Sequence, residues 1–233
     1  VYTAVSVSPE SGIGSVNTII YNRFNTSAKG GNILSGRHGE SDNQMIMKYI
    51  CNAPTVSEDN LNQTLVMMIP NTSDYGGVCY MWDEGFAIAY CPMSNYGYPL
   101  DFRGVIQHEA GGHGFGKLGD EYIYHNAFID NCGCSCCGHV FEFNLAKAKG
   151  WYDNLSLTGK MSEVPWSHLI FHEKYSGFVD IFEGGFMHSR GVYRSEHNSC
   201  MNNDIPYYST ISRESIVKRI KAYAGEEYSF EDF

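Results

Sequence analysis

The chain has 233 residues, 43% of them hydrophobic and 14% aromatic, and a net charge of −10. That is enough apolar material for one large domain or two lobes, and an acidic balance without any Lys/Arg cluster argues against nucleic-acid and anionic-membrane binding. No apolar run reaches the roughly 20 residues of a transmembrane helix, and neither an initiator Met nor a signal segment stands at Val1, so we expect either a mature form or a piece lacking upstream domains. We further expect an exported protein that acts as a monomer.

Residues 1–7 alternate weakly and are expected to form a strand; 16–24, rich in β-branched and aromatic residues, reads as another. Residues 26–37, with Gly30-Gly31, read as loop. Ser41-Asp42-Asn43-Gln44 is a capping-box pattern, and Met45, Ile46, Tyr49 and Ile50 behind it share one face, predicting a helix over 42–51. Residues 65–69 are a short apolar run ended by Pro70, the pattern of a buried strand. Residues 78–82 and 86–91 read as a strand pair turning at Asp83-Glu84-Gly85, with 78–82 a candidate edge for an added peptide strand. The expectation is an α+β fold: a mixed, twisted sheet backed by two helices.

The second helix starts at Asp101, a good N-cap after Pro99, with Phe102, Val105 and Ile106 as its apolar face. It leads into His108-Glu109-Ala110-Gly111-Gly112-His113-Gly114-Phe115-Gly116-Lys117-Leu118-Gly119-Asp120-Glu121-Tyr122. Two imidazoles and a nearby carboxylate suit zinc, and a catalytic zinc site leaves a fourth position for water. A carboxylate that is not a ligand, Glu109, can take that water's proton. Zinc helices usually space their histidines four apart, about 40° around the helix, whereas His108 and His113 are five apart, about 140° in a regular α-helix. The helix must therefore contain a π-bulge or a break within 109–113, where Gly111-Gly112 accepts unusual backbone. Gly114 and Gly116 end it and turn the chain so that Asp120 or Glu121 reaches the ion. Glu121 is otherwise a candidate for fixing a histidine tautomer, and Tyr122, Tyr207 and Tyr208 are candidate oxyanion donors.

Beyond the motif, Cys132, Cys134, Cys136 and Cys137 precede His139. Their spacing is tighter than the pairs of structural zinc sites, which leaves disulfides, a second metal or a redox role open. The total of eight cysteines permits pairing in an oxidising compartment. Residues 141–149 read as a short helix stopped by Gly150, 151–157 as irregular, and 164–171 as core. Ser212 is read as the cap of a final helix with Ile216, Val217, Ile220 and Tyr223 on its apolar face and Gly225 as its stop. The tail 226–233 is expected to be loose.

Ser199-Cys200-Met201-Asn202 precedes that last helix. Alone it is a packed turn; with the zinc motif it matches the later Met-containing turn of metzincin peptidases. The run 107–122 resembles the signature of the IgA-endopeptidase-like family of bacterial zinc metallopeptidases. Segments 181–203 and 206–220 are similar to it as well, with Glu183-Gly184-Gly185, Asn198-Ser199-Cys200-Met201 and Ser212-Arg213-Glu214. The resemblance covers roughly 60–220 and implies a metzincin-like catalytic domain, which we expect to span 1–233, with an upper lobe, 1–116, holding sheet and zinc helix. The lower lobe, 117–233, would be mainly irregular, with the Met-turn and the final helix. It implies one catalytic Zn²⁺ on His108, His113 and Asp120, Glu109 as the catalytic residue, Met201 beneath the metal, and a protein or peptide substrate. The tight metzincin motif puts its third ligand six residues after the second His, which here is Gly119. The ligand is thereby displaced to Asp120, or is Glu121. A zinc amidase acting on cell-wall peptides shares these motifs, and a binding module with a structural zinc is the non-enzymatic alternative.

Overall fold

The computed structural model describes residues 1–10, 24, 26–29, 33–36, 40–73, 76–130 and 138–233. The chain divides into two compact units, Val1–Gly114 and Phe115–Phe233, the division falling two residues before the lobe boundary expected from sequence.

The first unit holds a two-stranded antiparallel ladder, β1 (Thr26–Lys29) with β2 (Ile33–Gly36). The sequence reads as loop there, since Thr-Ser-Ala-Lys is a poor strand former and its extended shape comes from pairing. Helix α1 (Glu40–Ile50) starts two residues before its predicted position, so the capping-box residues lie inside it. A 3₁₀ turn, Glu58–Gln63, leads into a mixed sheet of β3 (Leu65–Met68), β4 (Val78–Met81) and β5 (Ala87–Tyr90). Among the described residues its order is β3-β5-β4, parallel between β3 and β5 and antiparallel between β5 and β4, which puts β4 at one end of the sheet, where β2 comes into contact with it.

Alternation along β5 decides which helix covers which face. Ile88 and Tyr90 pack on Ile46 and Ile50 of α1, while Ala89 and Cys91 pack on Val105 and Ala110 of the motif helix. The side facing the motif helix is small, which lets that helix lie close to the sheet. Residues 1–7 adopt no strand, and Val1, Val5 and Val7 are exposed; an alternating run without a neighbouring ladder has nothing to bond. The predicted strand over 16–24 lies outside the described residues except Phe24, whose ring meets Tyr49 edge-on at 5.1 Å.

The second unit, expected to be mainly irregular with a final helix, also holds a sheet. Strands β6 (Ile123–Phe128), β7 (Leu155–Ser156), β8 (Phe182–Gly185) and β9 (Met187–Arg194) form a second mixed sheet around β9, with β6 parallel to it and β7 and β8 antiparallel. Short strands and glycines hid it from a periodicity reading. Gly184 has φ +113°, a backbone conformation that other residues rarely adopt, so glycine suits the path of β8 beside Ile123 of β6. Helix α3 (His139–Ala148) covers the sheet through Phe143, against Ile129, Leu155 and Val192.

A second core holds Val164, Trp166, Tyr175, Val179 and Ile211, with Leu169 and Ile170 from the short α4 (Ser167–Ile170). After α5 (Cys200–Asn203), helix α6 runs Thr210–Ala224, with Ser209 at its N-cap position and Gly225 at its stop. Ser212 is therefore internal and fully buried, not the cap, while Ile220 and Tyr223 of the predicted apolar face are about half exposed. The tail is docked rather than loose: Phe230 and Phe233 pack on the second core, and the Tyr228 hydroxyl donates to Glu214 at 2.9 Å. Among the described residues, no helix is long and apolar enough to cross a membrane.

Candidate metal centre

Asp101 caps the motif helix in an extended conformation, its carboxylate accepting the Arg103 N–H at 3.0 Å. The α-helical part, α2 (Phe102–Ile106), lasts five residues before the ladder changes, and Gln107–Phe115 is π-helical over nine residues. The expected irregularity within 109–113 is thus present and wider than the spacing alone required. An i→i+5 ladder stacks residues five apart much as an i→i+4 ladder stacks residues four apart. The His108 and His113 rings consequently lie side by side, centroids 4.9 Å apart and 69° between planes.

A nitrogen of each ring and a carboxylate oxygen of Asp120 all lie within 4.8 Å of one another. Among the described residues this is the one group of three or more His, Cys, Asp or Glu side chains so arranged. Two imidazoles and one carboxylate with three converging atoms fit a zinc ion that keeps an open position. Glu109, next to the first histidine but outside the triad, is nearly buried. Gly77, just before β4, passes so close that an added Cβ would stand 2.5 Å from Glu109 Cγ and 2.7 Å from its Oε1. Sheet edge and carboxylate are therefore neighbours. Cys91 lies in the layer beneath; burial pushes its thiol up to about 12, and the charge of Glu109 adds to the rise. A neutral thiol is a poor nucleophile and a poor ligand.

The segment carrying Asp120 is clamped through its backbone. Gly119 N–H donates to Asn154 Oδ1 at 2.9 Å, and Asn154 Nδ2 donates back to Gly119 O at 2.8 Å. Phe186 N–H donates to Asp120 O at 2.8 Å, and Glu121 N–H to Met201 O at 2.7 Å. Glu121, the alternative ligand, is wholly buried instead, accepting from Asn154 Nδ2 at 2.8 Å and Ser199 Oγ at 2.5 Å. Burial raises its carboxyl to about 7, against the lowering effect of the bonds from Ser199 and Asn154. It ties the Asp120 segment to the Met turn and fixes no histidine tautomer. Met201 is fully buried in α5, and Asp204 closes that turn with φ +57°.

Asn154 and Ser199 thus position the site, and sequence reading assigned neither a role. Ser199 lay within the Met-turn motif; the one signal for Asn154 was an amide set among large apolar residues in 151–157. The Tyr207 hydroxyl donates to Glu196 Oε2 at 2.6 Å and that of Tyr208 is engaged with Cys200, so these two candidate oxyanion donors are committed locally. Cys51 and Cys91 are free thiols, and the cysteine cluster at 132–137 lies outside the described residues. Compared with protein-family models and with curated proteins, the chain finds no match in either.

Proposed function

We propose that this protein is a zinc-dependent endopeptidase with a metzincin-like catalytic domain, akin to the IgA-endopeptidase-like peptidases, exported and acting on protein or peptide substrates. The observation that carries the reading is the convergence of His108, His113 and Asp120 through a π-helical turn, with Glu109 beside them but outside the ligand set. His108, His113 and Asp120 would hold the ion, and Met201 would floor the site from below. When bound, zinc supplies Lewis acidity towards a carbonyl oxygen and acidifies water.

The chain's own residues do the rest. Glu109, nearly buried, accepts a proton from the attacking water at its carboxylate and passes it to the leaving amine. Among the described residues strand β4 ends its sheet, so an extended peptide can add to it by main-chain hydrogen bonds and lie beside Glu109 where Gly77 touches that side chain. The Asn154 and Ser199 clamps hold Asp120 in place, as hydrogen-bonded supports do around metal ligands.

The test is Glu109→Ala, assayed on casein. The variant should keep the wild-type zinc content and far-UV circular dichroism while losing at least about 100-fold in hydrolysis, the low end of what a general base contributes. Casein cleavage at the wild-type rate would overturn the reading.

A further inference from the structure

Helix α6 carries Ser215, Arg219 and Tyr223 four residues apart, in one row along its surface. That row and the loops at 116–117 and 150–153 line an open pocket of about 290 Å³ within the second unit. Small-molecule sites start at about 300 Å³, so the pocket has room for a ligand the size of one amino acid. Its loop wall is strained. Lys117 (φ +54°) and Tyr152 (φ +59°) are two of the five non-glycine residues with positive φ among the described residues, and the Tyr152 N–H donates to Lys117 O at 2.9 Å. A bulky residue seldom takes this conformation, and residues held in it gather at ligand clamps.

One charge at the pocket is unanswered. Lys218 Nζ pairs with Glu214 at 2.8 Å. Asp153 pairs with Lys147 at 3.6 Å and accepts from Ser215 Oγ at 3.4 Å. Arg219 is half-buried, and among the described residues its guanidinium meets no carboxylate, hydrogen-bond acceptor or ring. Its Nε is shut off from solvent without an acceptor, while its terminal nitrogens reach solvent. The chain has 26 acidic side chains against 16 Lys and Arg, so Arg219 is not unpaired for want of carboxylates. Buried Lys117 adds a second cation to the wall.

We propose that this pocket binds an organic carboxylate, held by the two terminal nitrogens of Arg219, with Tyr152 and Tyr223 as walls for its carbon body. One unanswered positive charge matches a monoanion, and the arginine fork matches the plane of a carboxylate in a two-point pair. Gly116 and Lys117 join His113 to Asp120 in the chain, so an occupant braces the segment that carries the third ligand; that consequence, unlike the site, rests on the zinc reading.

The test is a titration of the isotope-labelled full chain with N-acetylglutamic acid methylamide, read by amide chemical shifts. Shifts should saturate with a Kd on the order of 1 mM and concentrate at 116–117, 150–153 and 215–223. The neutral glutamine counterpart should cause none, and Arg219→Gln should weaken binding at least about tenfold. Arg219 makes no bond in the fold, so this variant should keep the wild-type circular dichroism; should it not, the wild-type shift map decides alone. Shifts confined to other residues, equal binding of the glutamine counterpart, or undiminished binding by a folded Arg219→Gln would overturn the site. Tighter binding of inorganic phosphate would overturn its preference for carboxylate. None of these readouts depends on zinc, so the peptidase reading stands or falls separately.

Discussion

Asn154→Ala removes the side chain that holds Gly119 by both N–H and C=O and donates to Glu121. Asn154 is completely buried, so water does not reach the freed groups without rearrangement. Each neutral bond is worth about 1 kcal/mol net and the one to a carboxyl about 1.5–3 kcal/mol, giving a cost of about 3–5 kcal/mol. With Gly119 loosened, Asp120 is no longer presented at a fixed distance from the imidazoles, and zinc affinity should fall by about 10–100-fold. Urea denaturation of the zinc-free protein reads the first quantity at an unchanged m-value; competition with a chelating indicator reads the second. Asn203→Ala is the control: its amide bonds Asn198 at 3.3 Å on the surface, and its cost should stay within about 0.5 kcal/mol. An Asn154→Ala protein within about 1 kcal/mol of wild type and binding zinc as tightly would refute the clamp.

Gly77→Ala places a methyl carbon 2.5 Å from Glu109 Cγ, and a buried carboxylate has to move aside. We expect kcat on casein to drop by at least about 100-fold with zinc content unchanged; an undiminished kcat would separate Glu109 from catalysis. Glu214 concerns pH. Burial alone would raise its carboxyl, but bonds from Lys218, Tyr228 and His168 outweigh that and hold it below its ordinary 4.5. A depressed carboxyl stabilises the fold above the unfolded value and loses that contribution as pH falls through the folded one. Melting temperature should therefore fall below about pH 4.5 more steeply in wild type than in Glu214→Gln; superimposable acid limbs would show that the tail contact through Tyr228 does not depend on this charge.

Features set by neighbours in sequence were legible in advance. Asp101 caps the helix it was expected to cap, Gly225 stops the helix it was expected to stop, and β4 and β5 turn at Asp83-Glu84-Gly85. The errors share one cause. Residues 1–7 have the alternation of a strand and no ladder to join, whereas Thr26–Lys29 lacks the pattern and has a partner. In α6 the apolar residues suggested a buried face at 216–223, but the buried stretch is its polar first turn. There Thr210 N–H donates to Glu196 at 2.6 Å and Ser209 meets Ser212 at 2.8 Å. A hydrophobic pattern gives no weight to polar groups that are buried because they have found each other.

The order of residues in 101–122 by itself determined that two imidazoles five apart need a non-α turn, because the angle per residue is a property of the local backbone. Tertiary structure alone decided that Asp120 and not Glu121 faces the imidazoles, since adjacent carboxylates are told apart only by what surrounds them. Asn154 and Ser199 reach Glu121 from 33 and 78 residues away in the chain. Bonds over such separations leave no local trace in sequence, because neither partner needs a particular neighbour to make them.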